Sequence, residues 1–215
     1  MPSIRTVLFD LDGTLIDSID LILSSYRHTM SAHGFPEVPD SVWLEGVGTP
    51  LRAQLGPWAS ETLTLETLVA TYRDYNLSNH DQMVRPFPHL SGIVRAIRAR
   101  GYRTGVVTSK TREGTRRGLT LVGLEDAIEI MVCADDVTNA KPHPEPVEKA
   151  VAALGADPKT TIYIGDSIHD LHSGRAAGVL TGAVLWGPFS RATLEPAAPD
   201  YWLETPQHLE RLLLT

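Results

Sequence analysis

The stretch Ile4-Arg5-Thr6-Val7-Leu8-Phe9-Asp10-Leu11-Asp12-Gly13-Thr14 sets an apolar run directly against two carboxylates and a glycine turn. A short run of β-branched and aromatic residues bounded by polar ones reads as a buried strand, Ile4–Phe9. Asp12-Gly13 behind it reads as the turn that ends the strand. Four further apolar runs of this kind follow: Thr104–Val107, Ile128–Cys133, Thr161–Ile164 and Ala183–Leu185. Helical spacing fills the gaps between them at Gly92–Arg100, Arg112–Leu121, Pro146–Leu154 and Leu171–Ala177, and a strand near Tyr201–Leu203 with a helix over Pro206–Leu213 closes the pattern. Strands alternating with helices predict an α/β fold: a parallel sheet with helices on both faces.

One segment breaks the alternation. From about Ile16 to Arg85 the periodicity is helical only, over Asp20–His33, Val42–Leu55 and Leu63–Leu77, with no convincing strand. The expected organisation is therefore a core domain of residues 1–15 and 86–215 carrying an inserted all-helical cap of residues 16–85. Pro86-Phe87-Pro88-His89 is the candidate hinge, because proline stiffens the chain and disfavours helix just before it.

Composition narrows the function. With 215 residues, 42% hydrophobic, the chain can bury a sizeable core. A net charge of -7 argues against nonspecific binding to nucleic acid or an anionic membrane. Cys133 is the only cysteine, so no intramolecular disulfide can form, and its apolar setting makes it a core residue rather than a nucleophile. The N-terminus lacks the apolar length and cleavage site of a signal peptide, and no run is long enough to span a bilayer. The expectation is a cytoplasmic protein.

In an open α/β sheet, ligands bind beyond the carboxyl ends of the strands. Asp10 and Asp12 follow the first strand, and Thr108-Ser109-Lys110 follow the second. Past the third lies Lys141-Pro142-His143-Pro144; after the fourth come Gly165-Asp166-Ser167 and then Asp170. Each patch has an ordinary reading by itself: a turn, a helix cap, a solvated lysine, a helix N-terminus that favours acid. A calcium loop starting at Asp10 would need Glu at its twelfth position, where Leu21 stands. The joint order of the four patches along four strand ends is what single readings do not explain.

These patches resemble the four motifs of the haloacid dehalogenase superfamily: Asp-x-Asp-Gly-Thr, a strand-final Thr or Ser, a Lys, and Gly-Asp-x-x-x-Asp. The resemblance spans nearly the whole chain, including a helical insert where that family's type-one cap sits, and is greatest to the phosphoglycolate phosphatase-like branch. It implies a Rossmann-like core, a mobile cap and phosphoryl transfer through an aspartyl-phosphate. By resemblance, Asp10 is the nucleophile and Asp12 the acid and base, while Thr108 with the Ser109 N–H binds phosphoryl oxygens and Lys141 neutralises charge. Mg²⁺ would be held by Asp10, the backbone carbonyl of Asp12 and Asp166, with Asp170 orienting the lysine or a water. The residue chemistry agrees, since a carboxylate meeting a phosphate dianion at about 4 Å is repelled by roughly 8 kcal/mol at an effective dielectric near 20. A hard cation and a lysine offset that repulsion.

Asp12 separates the chain from dehalogenases, which need no acid for a leaving alcohol. The lysines are Lys110, Lys141, Lys149 and Lys159, so residues 16–85 lack the Schiff-base lysine that phosphonate-cleaving relatives require. A phosphatase of small phosphorylated metabolites, phosphoglycolate-like monoesters foremost, is the leading expectation. A sugar phosphomutase and an inorganic pyrophosphatase are the enzymatic alternatives, and a catalytically silent binding protein is the non-enzymatic one. Substrate choice is expected in the loop Gly46-Val47-Gly48-Thr49-Pro50-Leu51-Arg52, with Thr49 and Arg52 as cap contacts and Gly13 as a core contact. His169 and His172 read as surface or supporting residues.

Overall fold

The computed structural model describes residues 4–215. In chain order, β1 (Thr6–Phe9) leads through β2 (Ile16–Asp17) into α1 (Ile19–Ala32), α2 (Asp40–Glu45), α3 (Leu51–Leu55) and α4 (Leu65–Met83). The chain returns by β3 (Arg85–Pro86) to α5 (Leu90–Ala99), β4 (Arg103–Val107), α6 (Arg112–Leu121), β5 (Ile130–Val132) and α7 (Glu145–Ala153). It ends with β6 (Thr161–Gly165), α8 (Ile168–Ala176), β7 (Leu180–Val184), α9 (Arg191–Leu194), β8 (Tyr201–Leu203) and α10 (Pro206–Leu214).

Six strands form one parallel sheet in the order β5-β4-β1-β6-β7-β8. Every residue of β1 is buried, as a central parallel strand requires. Successive side chains leave it on opposite faces. Val7 and Phe9 join a core with Ile93, Val94 and Ile97 of α5 and Leu209 and Leu213 of α10. Leu8 instead meets Val147, Ala150 and Val151 of α7. The sheet is thus covered on both sides in the Rossmann-like manner. β1 lies between β4 and β6, where the strand order reverses, and the crevice at that point is where such sheets bind ligands.

The helices α1 to α4 enclose a hydrophobic cluster of their own. Tyr26 stacks on Trp43 with ring centroids 4.4 Å apart and planes 1° from parallel, beside Met30, Leu55, Leu68 and Tyr72.

Several boundaries differ from the sequence expectation, each for a physical reason. Val42–Leu55 is two helices, because Gly46 ends α2, Gly48 takes a φ of +95° and Pro50 disfavours helix at Thr49. α4 runs on to Met83 and is capped at its start by Thr64, whose side chain accepts the Thr67 N–H. β7 begins at Leu180 rather than Ala183, since Thr181 and Gly182 dilute the apolar signal that pairing with β6 overrides. β5 is shorter than Ile128–Cys133, trimmed by helical turns at Glu125–Ala127 and Ala134–Asp136. The span from Ile16 to Arg85 also carries strand at its two ends: β2 and β3 pair antiparallel, Ile16 with Pro86 and Asp17 with Arg85.

Candidate active site

Register brings the strand ends together. Phe9 pairs with Val106 of β4 on one side and Ile164 of β6 on the other, so Asp10, Thr108 and Asp166 emerge side by side. The Asp10 N–H donates to the Ile164 carbonyl at 2.8 Å, and the Thr108 N–H to that of Val132 at 2.9 Å, which fixes both residues at the rim.

Asp10, Asp166 and Asp170 are all buried, and each offers an oxygen within 4.8 Å of the others. One cation sits among them. Lys141 Nζ donates to Asp10 Oδ1 at 2.8 Å and to Asp170 Oδ1 at 2.6 Å, with the Tyr163 hydroxyl 3.3 Å away. Burial opposes the charge on Lys141, but the Asp10 and Asp170 carboxylates outweigh it and raise its pKa above the ordinary lysine value. Asp170 is likewise penalised by burial; Lys141, the Ser167 hydroxyl and Tyr163 outweigh that and hold it below the usual carboxylate value. Both Asp170 oxygens are engaged, Oδ2 by the Ser167 hydroxyl at 2.6 Å and its N–H at 3.1 Å. Ser167 and Asp170 thereby form a capping box that starts α8.

The positive charge is incomplete. Burial pushes the Asp10 carboxyl up to about 7, against the pull of Lys141. Burial, followed by the charges of Asp170 and Asp10, holds Asp166 well above the carboxylate range. Asp166 Oδ1 accepts from Thr14 at 3.0 Å, while its buried Oδ2 has no hydrogen-bond partner. Two glycines keep the space around it open. A Cβ on Gly13 would stand 2.6 Å from that Oδ2, and one on Gly187 would stand 2.6 Å from the Asp166 Cβ and 2.9 Å from the Gly13 carbonyl. Clustered carboxylate oxygens, an orphaned acceptor and a glycine-lined recess fit a small hard divalent cation.

Asp12 has a different environment. Its carboxylate accepts from Ser18 Oγ at 2.6 Å and from Lys110 Nζ at 2.9 Å and 3.2 Å. It faces a cavity of about 660 Å³ whose wall also includes Asp10, Thr108, Ser109, Lys110 and Lys141 from the sheet edge. The helical segment closes the other side with Ile22, Val47, Gly48, Thr49, Leu51, Arg52, Arg73 and Asn76. The loop after α2 touches the sheet edge directly. Ser109 Oγ donates to the Gly48 carbonyl at 2.7 Å, and a Cβ on Gly48 would lie 2.7 Å from Ser167 Oγ.

The residues singled out from sequence are therefore distributed in two places. Asp10, Asp12, Thr108, Ser109 and Lys141 line the cavity; Gly13, Asp166 and Asp170 lie off its wall. Gly13, with a φ of +77°, turns the chain and makes room for Asp166. Thr49 lines the cavity, although its hydroxyl is turned to the Gly46 carbonyl at 2.6 Å. Arg52 is also on the wall, but its guanidinium is held by both oxygens of Glu66 at 2.8 Å and 2.5 Å in an exposed pair. Sequence reasoning passed over Lys110, Arg73, Ser18 and Tyr163. Lys110 was readable as the third residue of the second patch, and Ser167-x-x-Asp170 as a capping box; nothing local marks Tyr163, which reaches the site from inside β6.

Comparison with known proteins agrees with this geometry. The sequence matches the haloacid dehalogenase-like hydrolase family over residues 7–184. It is 39% identical over 202 residues to the pyrophosphatase PpaX of Halalkalibacterium halodurans, covering 94% of this chain and 93% of that one. In structure it is similar to a Bacteroides fragilis chain assigned to the haloacid dehalogenase-like hydrolases, with a TM-score of 0.89 at 26% identity over 96% of this chain and all of that one. A predicted phosphoglycolate phosphatase of Haemophilus somnus superposes equally well, at 0.89 over 99% of each chain, and at 22% identity it speaks to the fold alone. Motifs, sheet order, buried acidic cluster and relatives coincide, and the chain belongs to the haloacid dehalogenase-like hydrolases.

Proposed function

We propose that this chain is a Mg²⁺-dependent phosphohydrolase that acts through an aspartyl-phosphate on Asp10, with inorganic pyrophosphate as its preferred substrate. The observation that carries the chemistry is the buried Asp10–Lys141–Asp170 network beside the orphaned Asp166 oxygen. Asp10 lies at the sheet's switch point and opens on a cavity large enough for a small phosphorylated molecule.

In this reading Asp10 forms the new O–P bond while the bond from phosphorus to the leaving oxygen breaks. Lys141 shields nucleophile and phosphoryl oxygens, held at its post by Asp170 and Tyr163. Thr108 and the Ser109 N–H receive phosphoryl oxygens. Asp12 gives a proton to the leaving oxygen when the substrate is an ester, and with either substrate takes one from the water that cleaves the aspartyl-phosphate. When bound by Asp10, the Asp12 carbonyl and Asp166, Mg²⁺ supplies Lewis-acid shielding of the phosphoryl group. Residues 16–85 act as the cap, whose Gly48 contact with Ser109 excludes bulk water.

Two features favour the anhydride. The curated relative at 39% identity carries the name pyrophosphatase. The cavity wall also presents Arg73, which has no ion pair among the described residues, beside Lys110 and Arg52, which are paired with Asp12 and Glu66. A second reading, a small phosphate monoester, draws on the apolar patch of Ile22, Val47 and Leu51, which suits an organic leaving group. Both readings concern small phosphorylated metabolites; no helix among the described residues is long and apolar enough to cross a membrane. The lone, buried Cys133 suits a reducing cytoplasm.

Phosphate release from pyrophosphate, phosphoglycolate, glycerol 3-phosphate and p-nitrophenyl phosphate, with Mg²⁺ and with chelator, tests the proposal. The highest kcat/KM is expected for pyrophosphate, with activity lost on chelation. Isomerisation of a hexose phosphate without phosphate release would overturn it in favour of a mutase.

A further inference from the structure

The cation paired with Asp12 on the cavity wall is Lys110, which none of the motif assignments uses. Its ammonium spans both Asp12 oxygens at 2.9 Å and 3.2 Å and stays 13% exposed on the cavity wall. The placement is built. A Cβ on Gly114, in the buried face of α6, would stand 3.1 to 3.3 Å from three carbons of the lysine stem, so the glycine gives that stem its seat. The backbone is fixed as well, with the Lys110 N–H on Thr108 Oγ1 at 3.2 Å and its carbonyl accepting from Ala134 at 2.9 Å.

Asp12 is the group positioned to meet the leaving oxygen, and an ammonium bonded to both its oxygens stands beside the same point. What leaves decides what that cation does. An alcohol departs neutral after receiving a proton. A phosphate departs as an anion, and a point charge beside it stabilises the transition state directly.

Resting on the pyrophosphatase reading, we propose that Lys110 is a catalytic residue that stabilises charge on a departing phosphate and so sets the preference for phosphoanhydrides over alkyl phosphates. The step balances without a further reactant. Asp10 Oδ bonds to one phosphorus of pyrophosphate, and the bridging P–O bond breaks. Its electron pair stays on the departing orthophosphate, beside Lys110. Water then adds to the phosphorus of the aspartyl-phosphate, losing a proton to Asp12; the Asp10 carboxylate is regenerated as the second phosphate leaves, and Asp12 passes its proton on to solvent, which restores the starting state.

The test compares wild-type enzyme with Lys110→Met, Lys110→Gln and Lys110→Arg on pyrophosphate and glycerol 3-phosphate in Mg²⁺. Both neutral variants should lower the pyrophosphate to glycerol 3-phosphate ratio of kcat/KM by about tenfold or more, chiefly in kcat, and Arg should restore most of it. General damage to the fold lowers both substrates together and leaves the ratio in place. If the wild type prefers pyrophosphate and the neutral variants keep that preference, the role of Lys110 is refuted while the pyrophosphatase reading stands. If the wild type prefers glycerol 3-phosphate, the pyrophosphatase reading itself falls, and this proposal with it.

Discussion

Replacing Lys141 by Met removes the one ammonium shared by two buried carboxylates. Side-chain exposure is 2% at Lys141, 5% at Asp10 and 1% at Asp170, so water cannot take over the lost contacts. What remains is Asp10, Asp166 and Asp170 with oxygens within 4.8 Å of one another. Two unit charges about 4 Å apart repel by about 4 kcal/mol at an effective dielectric near 20. Breaking a buried pair by deleting one partner typically costs about 3–5 kcal/mol, and Met keeps most of the volume. Protonation limits the damage. Asp10 already sits at about 7 with the lysine present, and losing the lysine raises it further.

A carboxyl whose folded value exceeds its unfolded one keeps its proton longer in the native state. Native stability therefore falls as pH rises from the unfolded value near 3.8 through the raised folded value. The deficit of Lys141→Met against wild type should reach about 3 kcal/mol or more at pH 8, a drop of roughly 6–12 °C in Tm for a domain of this size, and should be smaller at pH 6 by about 1.4 kcal/mol, the share Asp10 can add across those two pH units. Urea and thermal melts followed by circular dichroism, in chelator at both pH values, measure it. A deficit below about 1 kcal/mol at pH 8, or one equal at both pH values, refutes the electrostatic account of the triad.

Other consequences follow from single contacts. Gly13→Ala should destabilise by at least about 1–2 kcal/mol, from its left-handed backbone alone, and should weaken the rise in Tm on adding Mg²⁺ because the new methyl meets Asp166. An unchanged response to Mg²⁺ would count against the recess as a cation site. Glu145 accepts from the Thr138 and Asn139 N–H groups and pairs with Lys149 on the loop that carries Lys141; those contacts, the lysine's hydrogen bond first, hold its carboxyl at about 2. Its stabilisation is complete above the unfolded value near 4.5 and is lost as pH falls toward 2, so Glu145→Gln should flatten the acid limb of a stability–pH curve in that window. Arg73 lines the cavity and has no ion pair among the described residues; Arg73→Gln should raise KM for pyrophosphate more than for p-nitrophenyl phosphate, and equal effects on both would exclude it from substrate contact.

Which strand-end residues meet was more legible than the contacts around them. Asp10, Thr108 and Asp166 could be brought together from sequence because each directly follows a strand, and parallel strands put their carboxyl ends on one edge. The buried Tyr163 could not, since a tyrosine inside a strand looks like core until the sheet shows Lys141 and Asp170 at its hydroxyl. Lys110 was quoted within the second patch yet given no role, because its long-range pairing with Asp12 is visible only in the fold. Arg52 illustrates the opposite case. A cation in the right loop was visible, but its capture by Glu66 depends on how α3 packs against α4. Helix boundaries slipped where capping decided them, as at Thr64 and Ser167, since a cap depends on one hydrogen bond rather than on periodicity.

The short ladder between β2 and β3 changes how the intervening run should be regarded. Ile16 pairs with Pro86 and Asp17 with Arg85, so the chain leaves and re-enters the sheet unit at a single clasp. To the sheet, everything from Ser18 to Val84 is topologically the loop of a hairpin whose ends are already tied. The entropy of closing a loop grows only with the logarithm of its length, about 0.6 kcal/mol per doubling. An excursion of this kind can be lengthened, trimmed or exchanged at little thermodynamic consequence for the sheet, while the strand ends that hold Asp10 and Asp166 keep their register.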